Sequence, residues 1–295
     1  MGKQFYQAFN FRSDTLNMID IINGVVDEYI AQGYRLTVRQ LYYQLVARAI
    51  IENSERSYKR TTGIVNDGKI AGLIDWEAIE DRTRDFIRRT RWTSGVEILQ
   101  ASAESFHMDM WANQDARVFV IVEKEALAGV LERACRAFDV PLLAARGYPS
   151  GTVLREFCVE DVIEACKDGK AIKILHLGDH DPSGIDMTRD LTDRIKLFAE
   201  RSGDIELTRI ALTMEQIQEQ KPPPNPAKTT DSRFEGYRQA YGDESWELDA
   251  LKPDYLDQLV RRYIQQHVDA AEWKTRMLQI KQIKARILKA AETFR

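Results

Sequence analysis

The chain has 295 residues, a formal net charge of −4 and a hydrophobic fraction of 44%, enough for two domains with ordinary cores. That charge excludes a protein that coats nucleic acid by overall charge alone, although it leaves room for a local basic groove. The three cysteines, Cys135, Cys158 and Cys166, lack metal-ligand or redox spacing and read as reduced side chains of a cytoplasmic protein. No apolar run approaches the roughly 18 residues of a membrane span, and the polar start Met1-Gly-Lys-Gln is no signal peptide.

In chain order, the spacing of Leu16, Ile19, Ile22, Val26 and Ile30 predicts a helix from Ser13 to about Gln32, ended by Gly33. A second helix follows Thr37, which with Gln40 forms a capping box; Leu41, Leu45, Val46 and Ile50 give it an apolar face. A third, more polar helix runs from Ser57 to Ala71, with Tyr58, Ile64 and Ile70 inward and Lys59 and Arg60 outside. Three short helices with tight connections make the core of a helix-turn-helix or winged-helix module. Its second helix carries Arg39-Gln-Leu-Tyr-Tyr43, where the adjacent tyrosines point about 100° apart, so that either can face outward. Tyrosines at helical spacing are most often core residues with a satisfied hydroxyl.

Next comes Asp81-Arg-Thr-Arg-Asp-Phe-Ile-Arg-Arg-Thr-Arg-Trp92, with Arg82, Arg84, Arg88, Arg89 and Arg91 beside Phe86 and Trp92. Arginine grips phosphate bidentately and an aromatic ring stacks on a base, so this is the strongest candidate nucleic-acid contact; a solvated helix face with local ion pairs to Asp81 and Asp85 is the alternative. A linking helix is expected from Thr93 to Asn113.

From 116 onward, short branched runs alternate with helical stretches. Strands are expected at Arg117–Glu123, Pro141–Ala145, Ile172–Leu177 and Ile205–Leu212, with helices between them, which implies a parallel, Rossmann-like sheet covered on both faces. In such a sheet ligands collect beyond the carboxyl ends of the strands, and there Glu123, Asp179 and Asp181 fall. Three converging carboxylates repel one another unless a cation lies between them, and hard oxygen donors suit magnesium. The competing reading makes Asp-His-Asp-Pro-Ser-Gly a turn into the helix near Pro182. His180, between two acids, is a candidate to orient a metal ligand or to contact phosphate, though such a histidine is more often merely exposed and is not itself read as a ligand. Lys221-Pro-Pro-Pro-Asn-Pro226 is a stiff break, Glu247-Leu-Asp-Ala-Leu251 opens a compact segment, and one basic amphipathic helix is expected from about Asp254 to Phe294.

The two strand-end acids, with the Gly147-Tyr-Pro-Ser-Gly151 turn between them, together resemble a Toprim domain, the magnesium-binding fold of topoisomerases, primases and related nucleases. The Arg39 to Tyr43 motif is similar to that of the topoisomerase VI A subunit and its meiotic double-strand-break relative, in which a winged-helix module precedes a Toprim domain. The resemblance implies a winged-helix module over 1–92, a linking helix over 93–115, a Toprim domain over 116–220 and a C-terminal extension over 221–295 packed on it. It also assigns roles: Tyr43 attacks DNA to form a phosphotyrosyl link, Arg39 stands one turn before it, and Glu123, Asp179 and Asp181 bind Mg2+. DNA contacts are expected at Lys59, Arg60 and the five arginines from Arg82 to Arg91.

A double-strand break by tyrosines needs two active sites, so a homodimer is implied, with the tyrosine of one subunit working with the metal site of the other. The chain is shorter than a typical family member and lacks a phosphate-binding glycine loop, so strand passage needs a separate ATPase subunit or a substitute. Two other functions compete: a Toprim nuclease that hydrolyses DNA with metal-activated water, and a non-catalytic DNA-binding protein whose acids are structural.

Overall fold

The computed structural model describes residues 2–80, 89–200 and 202–293. The first three helices are α1 (Ser13–Ala31), α2 (Val38–Ala47) and α3 (Glu55–Ile70). The capping box at α2 is formed: Gln40 N–H donates to Thr37 Oγ1 at 3.3 Å and Thr37 N–H donates to Gln40 Oε1 at 2.9 Å. Among the described residues no strand pair forms a wing; only the isolated bridges Phe5 to Ala71 and Leu36 to Ile79 tie this module's backbone together. Leu16 and Ile30, expected on the inward face of α1, are exposed, because the buried stripe runs through Ile19, Ile22, Val26 and Tyr29.

The linking helix is shorter than expected. Helix α4 spans Gly95–Ser105, and Phe106 turns extended. The chain then folds on side-chain bonds, with Asp109 accepting from Trp111 N–H at 2.9 Å and Asp139 accepting from Met110 N–H at 3.0 Å.

Strands β1 (Ala116–Val122), β2 (Leu142–Ala144), β3 (Ala171–Leu177) and β4 (Ile205–Ala211) form one parallel sheet in the order β2-β1-β3-β4. Side chains alternate between its faces. Val118, Val120 and Val122 enter a core that also holds Ile22 and Leu45 of the N-terminal helices, Leu131 of α5 (Ala128–Ala137) and Leu259 of the C-terminal region. Phe119 and Ile121 face a second core with Leu154 of α6 (Gly151–Phe157) and Leu191 of α8 (Pro182–Phe198). A π turn over Cys158–Val162 and α7 (Ile163–Lys167) complete the crossover that begins at α6. The result is a mixed α/β fold, a parallel sheet with helices on both faces.

Beyond β4 come α9 (Met214–Gln220), a two-residue pair β5 (Asn225–Pro226) and β6 (Glu244–Ser245), α10 (Phe234–Tyr241), α11 (Pro253–Gln265) and α12 (Ala270–Glu292). The single long C-terminal helix is therefore two. Asp269 caps the second by accepting from Ala271 N–H and Glu272 N–H at 2.8 and 3.0 Å, a start signal that apolar periodicity alone passes over.

Because the Thr37 cap fixes the start of the helix that carries Arg39 and Tyr43, Thr37→Ala is expected to cost about 1 kcal/mol of stability. Urea unfolding with an unchanged slope checks this; a loss within error of zero would mean that tertiary packing alone sets α2.

Candidate active site

The carboxyl end of the sheet is organised by a chain of charged side chains drawn from four places in the sequence. At the end of β1, Glu123 Oε2 accepts the Asp179 N–H at 2.9 Å, which ties β1 to the loop after β3. The Gly147 N–H donates to Glu123 O at 3.1 Å from a backbone with φ +90°, a conformation open to glycine, and this brings the Gly147–Gly151 turn against the same end. In the loop itself Asp181 caps α8, its Oδ1 accepting from Gly184 N–H at 2.6 Å and from Ser183 Oγ at 2.8 Å. Gly184 is obligatory in this packing, since a Cβ there would lie 2.2 Å from Asp179 O.

Arg209 of β4 stitches the loop from below, donating to Gly178 O, Asp179 O and Gly184 O at 2.8, 2.5 and 2.9 Å. Sequence reasoning missed it, because one arginine inside an apolar strand has no motif. The segment 244–250 closes the loop from the other side. His180 and Trp246 exchange backbone hydrogen bonds at 2.9 and 3.0 Å, and Leu248 N–H donates to Asp179 Oδ1 at 2.8 Å.

This register delivers Glu247 and Asp249 to Lys124, the residue after the first acid. Lys124 Nζ lies 2.9 Å from Asp179 Oδ2 and 3.0 Å from Asp249 Oδ1, and also donates to Glu247 Oε2. Arg39 joins from α2, with Nη2 2.7 Å from Glu247 Oε2 and Nε 2.8 Å from Asp249 Oδ2. Tyr43 is 5% exposed, packs with Tyr42 and Ala250, and has the Arg39 guanidinium 5.8 Å from its ring centre. Of the two tyrosines, Tyr42 is the one committed elsewhere, donating to Asn53 Oδ1 at 2.9 Å and accepting from Ser54 N–H at 2.8 Å. Lys124, Glu247 and Asp249 carried no role in the sequence analysis; their signal is visible only once Trp246 pairs with His180 and sets the register.

The electrostatics follow from burial and these pairings. Burial works against the charge on Lys124, but Asp249, Asp179 and Glu247 outweigh it and hold the ammonium above its ordinary value. Burial pushes Asp179 up to about 7, with Lys124 opposing and Glu123, Glu247 and Asp249 adding to the rise. Glu123 is likewise raised by burial, against the Asp179 N–H, and the charge of Asp181 adds to the rise. Glu247 is lowered, because Lys124 and Arg39 overcome the cost of its burial. Burial, Glu247 and Asp249 push the Tyr43 phenol up to about 12, so it is protonated at rest.

Among the described residues no group of three or more His, Cys, Asp or Glu side chains is arranged to hold a metal ion. Of the three expected ligands, Asp179 has both oxygens engaged, one by Leu248 N–H and the other by Lys124. Glu123 is held through Oε2 and Asp181 through Oδ1, so each has an oxygen outside these bonds. The three acids therefore do not form a three-carboxylate site, and Glu123 and Asp181 are the two that keep an oxygen free of these bonds.

His180, expected to be exposed, is 2% exposed: its Nδ1 lies 2.9 Å from Tyr237 Oη, and the rings of Tyr237, Tyr241 and Trp246 surround it. Lys59 pairs with Glu55 at 2.6 Å, Arg60 pairs with Asp14 at 2.8 Å, and Arg89 and Arg91 are exposed. Arg82, Arg84 and Arg88, with Phe86, lie outside the described residues.

Burial and Arg209 hold His176 and His180 down at about 3 and about 4 respectively, well below the roughly 6.5 of an unfolded chain. Between those values the unfolded chain binds more protons, so this part of the stability is complete above about pH 6.5 and is lost as pH falls through the folded values. Imidazole NMR is expected to show both rings neutral from pH 8 to pH 5; a midpoint near 6.5 for His180 would contradict its packing. Comparison with protein-family models, with curated proteins and with solved structures gave no match.

Proposed function

We propose that this chain is a magnesium-dependent DNA-cleaving enzyme that resembles the topoisomerase VI A subunit, with Tyr43 as the nucleophile. The observation that carries the reading is the ion-paired chain from Arg39 through Glu247, Asp249 and Lys124 to Asp179, which links the helix bearing Tyr43 to the acidic end of a parallel sheet. Read this way, the sheet with its strand-end acids is a Toprim domain and the three N-terminal helices are the DNA-binding module. The enzyme acts as a homodimer, because each tyrosine cuts one strand.

Attack by the Tyr43 oxygen on phosphorus forms the phosphotyrosyl bond as the bond to the deoxyribose oxygen breaks. The number of phosphodiester bonds is conserved, so resealing needs no outside energy. The phenol loses its proton and the departing oxygen gains one. Arg39 steadies the negative charge that develops on the phosphate, and Lys124 stands one carboxylate away as a second cation. Glu123 and Asp181 would hold magnesium, which supplies charge neutralisation and in-line orientation of the phosphate. Tyr43 is buried and protonated at rest, so attack requires the phenol to give up its proton as the bond to phosphorus forms.

A second reading, hydrolysis by metal-activated water, is favoured by the depth of Tyr43. Supercoiled plasmid incubated with protein and magnesium, then denatured with and without protease, separates the two. The proposal expects cut DNA that enters the gel only after protease, loss of that product in Tyr43→Phe, and loss in Glu123→Gln and Asp181→Asn by more than about 100-fold. Cutting that survives Tyr43→Phe and needs no protease would replace it with hydrolysis, and salt-sensitive binding without any cutting would leave a binding protein.

A further inference from the structure

A single carboxylate oxygen, Glu247 Oε2, lies between two cations that come from opposite sides of the site: Arg39 Nη2 at 2.7 Å and the Lys124 ammonium. The two cations are otherwise held by Asp249, which is fully buried, and Lys124 also by Asp179. Glu247 is different from these partners. Its side chain is 26% exposed, Arg39 is 43% exposed, and both line a cleft of about 300 Å³ whose remaining walls include Tyr42, Tyr43, Tyr58 and Asn53. The volume is at the lower end of small-ligand pockets, and its lining joins aromatic faces and amide groups to a cation. Such a set suits one nucleotide unit, with the phosphate on Arg39 and a sugar or base against the rings.

We infer that Arg39 is the cation of a phosphodiester subsite in which the Glu247 carboxylate, shared with the more deeply buried Lys124, is a built-in stand-in for the phosphate, so that a nucleic-acid phosphate enters beside Tyr43 by displacing it. The exchange replaces one anion by another on the same guanidinium and needs no net change of charge at the centre. Asp249 holds both Lys124 and Arg39, and Asp179 holds Lys124, while Glu247 turns out to solvent. This rests on the reading that the Tyr43 face is where DNA is cut, and it adds a gate to that face.

The test measures binding alone, by fluorescence anisotropy of a labelled duplex in the absence of magnesium, so it is separable from the covalent-adduct experiment. Glu247→Gln is expected to bind the duplex about tenfold more tightly than the unaltered protein. The gain should vanish in an Arg39→Gln background, because the competition is for that guanidinium. Should Glu247→Gln fail to fold by thermal melting, Glu247→Asp, which keeps the charge but draws it back by one methylene, is expected to show a smaller gain of the same sign. Unchanged or weaker binding in the folded variant would overturn the inference and make Glu247 a structural bridge. So would a gain of the same size without Arg39, which would report only the loss of a negative charge.

Discussion

The Lys124 ammonium among Asp179, Glu247 and Asp249 is the constraint on which the rest of this site depends. An ammonium this deep needs anionic partners, and each acid so close to the others needs a cation. The partners arrive from β3, from the segment after β6 and, through Arg39, from α2. The cluster therefore fixes three parts of the chain against the end of β1. Removing Lys124 would leave Asp179 and Asp249 buried without their shared cation, so the network specifies geometry more than it adds stability.

The same constraint shapes the chemistry. Asp179 was expected as a metal ligand, but its oxygens are engaged by Leu248 N–H and Lys124, which leaves Glu123 and Asp181 as the donors with an oxygen to spare. Arg39, expected one turn before a nucleophile, is held by two carboxylates of its own chain. Tyr43 therefore lies beside Arg39, Glu247 and Asp249 of its own chain, which the Lys124 cluster joins to Asp179. A homodimer remains part of the proposal because two strands need two tyrosines.

Much of the scaffold was legible in the sequence because its signals are local. Thr37 and Gln40 announce their helix, the Arg117–Glu123 run reads as a buried strand, and Asp181 before Pro182 marks the start of α8. The parallel sheet with helices on both faces also follows from the alternation of strands and helices. What escaped were contacts between residues far apart in the chain. Nothing near Lys124 says that Glu247 will reach it, since that depends on the backbone pairing of His180 with Trp246. His180 itself looked exposed because its neighbours in sequence are polar, while the aromatic rings that bury it come from 237–246. Arg209 was silent for the same reason, its partners being carbonyls of a loop on another strand.

The most direct test of this account is a double-mutant cycle between Arg39 and Asp249, read by urea unfolding of Arg39→Gln, Asp249→Asn and the double variant. Arg39 is 43% exposed, which weakens the pair through screening, but Asp249 is fully buried. A coupling of at least about 1 kcal/mol is predicted, because the contact joins the tyrosine-bearing helix to the acidic end of the sheet within one chain. Additive effects, within about 0.3 kcal/mol, would contradict the account and detach Tyr43 from the site built around Lys124.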